Sequence, residues 1–244
     1  MTPVALHTVV EASAYFVGMQ LFLWQRRRLA LAALADRDHS LAIGVAAIVG
    51  AAIGAKLGYW IEDPRNAFAA FPDWRHLLEG KTIVGALLGG LLGVELSKRA
   101  LGVRASSGDA FALPLMVGIA IGRVGCFLAG LDDHTYGNPT ALPWGVDFGD
   151  GVARHPTQIY EIAFLTGLAF AISRRAHALP REGDRFRFFM IAYLGFRLAI
   201  DFIKPMPFAY FGFLSGVQLL CLGGLAYYRH DILRLAGNLS WGRR

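Results

Sequence analysis

The chain has 244 residues, of which 55% are hydrophobic and 17% are charged, and its mean hydropathy is +0.44. Soluble domains carry roughly 25% charged residues, so this composition excludes a disordered chain, a nucleic-acid-binding arm and an ordinary cytosolic enzyme. The 29 glycines and the apolar excess are typical of a protein that crosses a membrane several times. We therefore predict an all-α fold, a polytopic membrane bundle of helices.

Seven apolar stretches approach the ~20 residues that a helix needs to cross a bilayer. In chain order they cover residues 4–24, 41–61, 80–97, 109–130, 155–173, 186–203 and 211–228. They predict about seven transmembrane helices in a single integral membrane domain, 1–244. A loop over residues 131–154 joins the fourth and fifth spans, and loops of this length are often functional.

The basic residues predict how the chain is oriented. Sixteen of the 24 follow spans one, three, five and seven, and three lie within spans. The other five lie on the opposite side or at its span ends: Arg65, Arg75, Lys81, Arg154 and Lys204. Because positively charged segments stay in the cytoplasm, the N-terminus and the 131–154 loop are predicted outside and the C-terminus in the cytoplasm. The charge is spread over four segments, so we expect no nucleic-acid partner.

Glycines recur at every fourth residue in three of the spans. They are Gly50, Gly54 and Gly58; Gly85, Gly89 and Gly93; and Gly118 and Gly122. In lipid, small residues at this spacing let helix backbones approach closely. The pattern predicts that spans two to four form a tight inner bundle, and a glycine-lined substrate groove is the alternative.

Ionisable side chains collect at one predicted depth, the outer leaflet. They are Glu11, Lys56, Lys81, Arg123, His155, Glu161, Arg197 and Asp201. Charges inside a membrane are costly and usually functional, although each one alone is also explained by an interhelical salt bridge. Arg197 and Asp201 are four residues apart and can pair. Since arginine presents a planar fork that matches phosphate oxygens, the two arginines, with Lys81 and Gln158, predict a site for the phosphate of an anionic phospholipid.

Both cysteines, Cys126 and Cys221, lie in apolar runs and are interpreted as small buried hydrophobic residues. No nucleotide-binding loop or metal-ligand spacing occurs in the sequence. We therefore expect neither a disulfide, nor a metal, nor a cofactor.

Three separated motifs resemble those of the bacterial prolipoprotein diacylglyceryl transferases. Residues 122–127 are similar to the family's Gly-Arg-x-Gly-Asn-Phe signature, 154–161 to its Arg-His-Pro-Ser-Gln-Leu-Tyr-Glu element, and 196–201 to its late Arg-Phe-x-x-Glu-Phe element. Residues 136–146 resemble the family's loop, and the likeness covers about residues 80–205. Cys126 stands where the signature has asparagine, and residues 82–86 lack the histidine of the family's Ser-Phe-His-Gly-Gly element.

The resemblance implies a membrane transferase of lipoprotein biosynthesis. That family moves a diacylglyceryl group from phosphatidylglycerol to the lipobox cysteine of a preprolipoprotein signal peptide, in the bacterial cytoplasmic (inner) membrane. Partners would be these two substrates and the membrane lipids. The resemblance implies that Arg123 and Arg197 hold the lipid phosphate and that Glu161 and Asp201 belong to the polar site. A related lipid transferase with another acceptor, or a noncatalytic phospholipid-binding membrane protein, is the alternative.

The proton acceptor for the attacking thiol is sought among residues on the outer side. His155 is the first choice because a histidine titrates near neutrality and because it stands at the mouth of span five. His134, Asp132, Asp133 and Glu161 are the other candidates. We expect Glu161 to fix the loop or His155, and we expect Asp201 to orient Arg197.

Overall fold

The computed structural model describes residues 3–69 and 80–241, and almost all regular structure in them is helical. The prediction of an all-α fold is confirmed. The helices are α1 (Pro3–Leu29), α2 (Arg37–Glu62), α3 (Pro64–Ala69), α4 (Ile83–Ala100), α5 (Asp109–Ala129), α6 (Thr157–Arg174), α7 (Asp184–Ile200), α8 (Gly216–Tyr227) and α9 (Arg229–Trp241). Three basic residues used to predict the orientation, Arg75, Arg243 and Arg244, lie outside the described residues.

Each of the seven predicted spans contains one helix, namely α1, α2, α4, α5, α6, α7 or α8. In the described part of the chain, two helical segments are long and apolar enough to cross a membrane by themselves. These are Arg37–Glu62 and Asp109–Asp133, the second being α5 with the 3-10 turn that follows it. The last predicted span is shortened to the 12 residues of α8, because residues 210–214 form a turn and Ser215 caps the helix.

Helices α2 and α4 pack with their backbones in contact along the predicted glycine ladder. A Cβ atom on Gly54 would lie 2.2 Å from the carbonyl oxygen of Gly85, and one on Gly89 would lie 2.3 Å from that of Gly50. No side chain fits at such a distance. The small residues at this spacing are therefore required by the approach of the two helices.

Helix α5 does not continue that contact but packs against α1. A Cβ atom on Gly118 would lie 3.6 Å from the carbonyl oxygen of Ala14, and one on Gly122 would meet nothing within 4 Å. The prediction that span four belongs to the tight glycine bundle was wrong. Its glycines recur at the same spacing, but they face a looser contact on another helix.

The largest apolar core lies where α4 to α8 meet. Phe189, Met190, Tyr193 and Leu194 on α7 are fully buried there. Phe164 of α6 and Phe196 of α7 stack with their ring centroids 4.3 Å apart. This packing fixes α7 against α6, and both helices carry residues of the site described below.

The long loop between α5 and α6 is ordered by its own short structure and by its contacts with the bundle. It contains a 3-10 turn (Gly130–Asp133) and an antiparallel ribbon of β1 (Val146–Asp147) and β2 (Ala153–Arg154). The backbone N–H of Asn138 donates to the carbonyl oxygen of Ile203 at 2.8 Å. A Cβ atom on Gly137 would lie 2.6 Å from that of His155, so a glycine is needed for the loop to lie this close.

Candidate functional site

A buried cluster of two arginines and two carboxylates joins three helices. We call Arg123, Glu161, Arg197 and Asp201 the arginine–carboxylate cluster. Nε of Arg123 on α5 lies 2.8 Å from Oε2 of Glu161 on α6, and Nη1 of Arg197 on α7 lies 3.3 Å from the same oxygen atom. The four side chains are 5–7% exposed. The structure therefore brings together both predicted phosphate ligands and two of the predicted polar residues.

The end of α7 connects this cluster to α8. Nη2 of Arg197 donates to Oδ1 of Asp201 at 3.1 Å, which is the pair that the four-residue spacing predicts. The hydroxyl of Ser215 donates to Oδ2 of Asp201. Ser215 also caps α8 through a reciprocal pair of hydrogen bonds with Gln218. Asp201 therefore holds Arg197 in place and is itself held by a helix cap.

Tyr193 also binds Glu161, and it is not among the site residues predicted from the sequence. Its hydroxyl donates to Oε1 of Glu161 at 2.6 Å in the buried interior. Tyr193 precedes Arg197 by four residues and so lies on the same face of α7. This four-residue spacing is the feature of the sequence that could have identified Tyr193 as a site residue.

The arginines retain donor capacity that the cluster does not use. Nε of Arg197 is buried and has no hydrogen-bond partner among the described residues. Buried polar groups are nearly always satisfied, so an unpaired donor of this kind needs an explanation. A phosphate oxygen is a suitable partner, because guanidinium groups bind phosphate through paired N–H donors.

A further positive charge lies at the edge of this cluster, where Lys204 follows the last helical turn of the α7 segment. Burial, together with the nearby charges of Arg197 and Arg123, lowers the pKa of Lys204 to about 8. A lysine with this pKa changes its charge close to physiological pH. Lys204 is not among the site residues predicted from the sequence, where it contributed only to the predicted orientation.

His155, the predicted proton acceptor, lies on the loop side of α6. Its Nδ1 atom is 3.2 Å from the hydroxyl of Tyr160, and Nε1 of Trp144 donates to the same hydroxyl at 2.8 Å. Within the described residues, no hydrogen bond or ion pair joins His155 to the arginine–carboxylate cluster. Glu161 contacts the two arginines and Tyr193 rather than His155 or the loop, so the expectation that Glu161 fixes either of those was wrong.

Gln158 and Lys81 contact residues outside the arginine–carboxylate cluster. Nε2 of Gln158 donates to Oγ1 of Thr135 at 3.1 Å, which ties α6 to the loop. The ammonium group of Lys81 binds Oε1 of Glu11 on α1, and its side chain is 59% exposed. The structure therefore does not bring either side chain into contact with the two arginines.

The remaining predicted residues follow α5 directly. Asp132 and His134 are exposed, and His134 has a left-handed backbone with a φ of 52°. Asp133 is half-buried and points back toward the helices, where its Oδ1 lies 3.8 Å from Nδ1 of His7. Of these three loop residues, Asp133 is the one that faces the bundle.

A cavity of about 540 Å³ lies apart from the arginine–carboxylate cluster. Small and apolar residues of α2, α4 and α5 line it, and charged residues including Lys98 and Arg187 stand at one end. None of the four cluster residues lines this cavity.

The fold and the site together define a helical protein with a buried cluster of paired arginines and carboxylates. Comparison with known proteins identifies its family. Residues 2–228 match the family model described as prolipoprotein diacylglyceryl transferase. The chain is 31% identical over 195 residues to the phosphatidylglycerol–prolipoprotein diacylglyceryl transferase of Clostridium tetani, which covers 77% of each chain. It is 34% identical to the protein of that name from Geobacter sulfurreducens, over 84% of this chain and 77% of the relative. For the protein of that name from Cupriavidus pinatubonensis the identity is 30%, over 87% and 82% of the two chains.

The chain therefore belongs to the prolipoprotein diacylglyceryl transferase family, and the resemblance drawn from its three motifs is confirmed.

Proposed function

We propose that this protein is a phosphatidylglycerol–prolipoprotein diacylglyceryl transferase whose arginine–carboxylate cluster binds the phosphate of the lipid donor. The observation that carries the proposal is the convergence of Arg123 and Arg197 on one oxygen of Glu161, with a buried donor of Arg197 left unpaired. Family membership supplies the reaction, and the relatives' names supply the two substrates.

In this reaction the thiolate of the lipobox cysteine attacks the glyceryl carbon that carries the phosphate. The carbon–oxygen bond breaks, a thioether forms, and glycerol phosphate leaves with the bonding electrons. Arg123 and Arg197 stabilise the charge that grows on the departing phosphate, a role that suits fixed donors in a site that excludes water. Glu161, Tyr193 and Asp201 position the two guanidinium groups before the lipid arrives.

The surface of α2 supports a position in the membrane. Only 11% of the most apolar 18-residue stretch of α2 is buried within the fold. The core helix of a soluble protein would be mostly buried. Its outward face carries large apolar side chains that are 47–63% exposed: Leu41, Val45, Ile48, Val49, Ile53 and Leu57. Exposed apolar surface on this scale indicates a contact with lipid or protein.

The membrane arrangement that we propose has seven crossings in one integral domain of a bacterial cytoplasmic (inner) membrane. The distribution of basic residues supports an external N-terminus, an external loop at 131–154 and a cytoplasmic C-terminus. This arrangement places the arginine–carboxylate cluster in the outer half of the bilayer, on the side where the lipobox cysteine of an exported protein is presented.

Lysine substitutions test the phosphate role without removing the charge. Arg123→Lys and Arg197→Lys keep a cation but lose the planar fork, and this exchange is not conservative at a site that binds phosphate through paired donors. We expect each to lower the transfer of diacylglyceryl from phosphatidylglycerol vesicles to a lipobox peptide by more than tenfold. Arg175→Lys is the matched control, because Arg175 is exposed at the end of α6.

Arg26 is another basic residue far from the cluster in sequence, but it is unsuitable as a control. Its guanidinium group donates to the carbonyl oxygen of Leu34 and therefore has a structural role.

Thermal unfolding in detergent shows whether the lysine variants of Arg123 and Arg197 fold. Folded variants of Arg123 and Arg197 that transfer at the rate of the Arg175 variant would overturn the proposal.

A further inference from the structure

Three residues with metal-binding side chains meet beside the arginine–carboxylate cluster, although they come from separate parts of the chain. They are His7 on α1, Cys126 on α5 and Asp133 in the 3-10 turn after α5. One ligand atom from each of them lies within 4.8 Å of the other two. Gly125 permits this approach, because a Cβ atom there would lie 3.2 Å from the side chain of Val10 and 3.5 Å from Nδ1 of His7.

The spacing of the three atoms is close to that of ligands on one zinc ion. Zinc binds nitrogen, oxygen and sulfur at about 2.0–2.3 Å in a tetrahedral arrangement, which places two ligand atoms about 3.3–3.6 Å apart. Nδ1 of His7 and Oδ1 of Asp133 are 3.8 Å apart. Because the three atoms all lie within 4.8 Å of one another, they would have to approach by at most about 1.5 Å to bind one ion.

The histidine has an unused nitrogen atom that faces this position. Nδ1 of His7 is buried and has no hydrogen-bond partner among the described residues. A neutral imidazole nitrogen that lacks a proton donor is a suitable metal ligand. The orphaned atom is an observation independent of the clustering, and it also indicates a ligand.

Carboxylate and hydroxyl groups lie around two of the three proposed ligands. Oε2 of Glu11 lies 3.7 Å from the other ring nitrogen of His7, and Glu11 is in turn bound by Lys81 and by the hydroxyl of Tyr15. Histidine ligands commonly present their second nitrogen to a carboxylate, which fixes the tautomer. The hydroxyl of Thr135 donates to the second oxygen of Asp133.

Two of the three proposed ligands are anions when they bind a metal ion. A Cys126 thiolate and the Asp133 carboxylate would together neutralise a divalent cation. Nη1 of Arg123 lies 3.8 Å from Sγ of Cys126, so the proposed ion would adjoin the phosphate-binding arginines.

We infer that His7, Cys126 and Asp133 form a zinc site with an open fourth position. Sites with three protein ligands keep that position for water or substrate, whereas structural zinc sites have four protein ligands. No metal was expected from the sequence, because the three ligands are not close together in the chain and Cys126 lies in an apolar run.

The inference rests on the proposed function for its chemical role. A thiol bound to zinc is deprotonated, so the lipobox thiol would occupy the fourth position and release its proton to water. The zinc-bound sulfur would then attack the glyceryl carbon, the carbon–oxygen bond would break, and glycerol phosphate would leave with the electron pair.

Zinc titration of the purified full chain tests the site without reference to activity. The untagged protein is stripped of metal and titrated with zinc against a chromophoric chelator. We expect one equivalent of zinc to bind the wild type, and we expect His7→Gln and Cys126→Ser each to weaken binding by more than tenfold. Cys221→Ser is the matched control and should bind as the wild type does, because Cys221 is buried between other helices.

Cobalt provides a second readout that a merely structural change would not produce. Cobalt bound to the wild type should show a thiolate charge-transfer band, and this band should be absent in Cys126→Ser. Thermal unfolding of both variants establishes that they fold. Absence of stoichiometric zinc binding in the wild type, or equal binding in a folded Cys126→Ser protein, would overturn the inference.

Assays of diacylglyceryl transfer with and without zinc distinguish a failure of the zinc inference from a failure of the proposed function. Full transfer by metal-free protein would overturn the role of zinc and leave the transferase function standing. Stoichiometric zinc binding without any transfer would leave the site standing, and it would overturn both its role in activating the thiol and the proposed function.

Discussion

The guanidinium groups of Arg123 and Arg197, carried by different helices, meet at a single oxygen atom. That atom is Oε2 of Glu161, at 2.8 Å from one and 3.3 Å from the other. Two like charges are held together in the protein interior because one carboxylate lies between them and Asp201 neutralises the second arginine. Removing one partner from a buried ion pair is strongly destabilising, by about 3–5 kcal/mol, so the cluster is both a candidate binding site and a joint between helices.

Tyr193→Phe removes the hydroxyl that donates to Glu161 and leaves the ring in place. A hydrogen bond to a charged group contributes about 1.5–3 kcal/mol. Because Tyr193 acts through Glu161, we expect kcat for diacylglyceryl transfer to fall about tenfold or more while KM changes less. Steady-state kinetics check this. Tyr228→Phe is the control, since Tyr228 is also buried but lies away from the cluster; equal effects of the two substitutions would contradict a positioning role for Tyr193.

Gly89→Ala should prevent α2 and α4 from packing at their present distance, because the added Cβ atom would lie 2.3 Å from the carbonyl oxygen of Gly50. We expect a loss of several kcal/mol, measured as a lower midpoint of thermal unfolding in detergent. Gly167→Ala is the matched control in α6, where a Cβ atom meets nothing within 4 Å. There the substitution should be neutral or stabilising by up to ~1 kcal/mol. A Gly89 variant as stable as the Gly167 variant would contradict the described helix contact.

We expect the affinity for phosphatidylglycerol to depend on pH through the charge of Lys204. With its pKa lowered to about 8, Lys204 loses its positive charge as the pH rises from 7 to 9, and the field that attracts an anion becomes weaker. We expect the affinity for phosphatidylglycerol to fall roughly three- to tenfold over this range, equivalent to about 1 kcal/mol. Lys204→Arg stays charged and should show no such fall. The same pH dependence in both proteins would assign it to another group.

His155→Gln separates two roles of this residue, because it keeps hydrogen-bonding capacity and removes the titratable ring. The contact of His155 with Tyr160 favours a role in holding the loop. We therefore expect a severalfold loss of transfer that is the same across pH 6–8, measured as initial rates. A loss of well over tenfold, together with a change in the slope of the pH profile, would identify His155 as the proton acceptor that the sequence predicts.

Local spacing and hydropathy predicted much of this molecule. The apolar stretches located seven helices, and the four-residue spacing of Arg197 and Asp201 predicted their ion pair. The glycine ladder of α2 and α4 was also readable, because backbone approach requires small residues at helical spacing.

The contacts that the sequence did not predict join residues on different helices, so they depend on which helices pack side by side. Glu161 was expected to hold the loop or His155, but it pairs with Arg123, and their contact requires that α5 and α6 lie side by side. The meeting of His7 with Cys126 is likewise a consequence of the packing of α1 on α5. A single sequence contains no direct record of such contacts, and the same glycine spacing in α5 led to the wrong partner.

The most direct test of the proposed function is the product formed by the purified chain from phosphatidylglycerol vesicles and a lipobox peptide. Mass spectrometry of the peptide should show one added diacylglyceryl group on its cysteine, with one glycerol phosphate released for each group transferred. A peptide with serine in place of that cysteine should remain unmodified. No modified peptide from folded protein, or addition to the serine peptide at the same rate, would contradict transfer to the lipobox thiol.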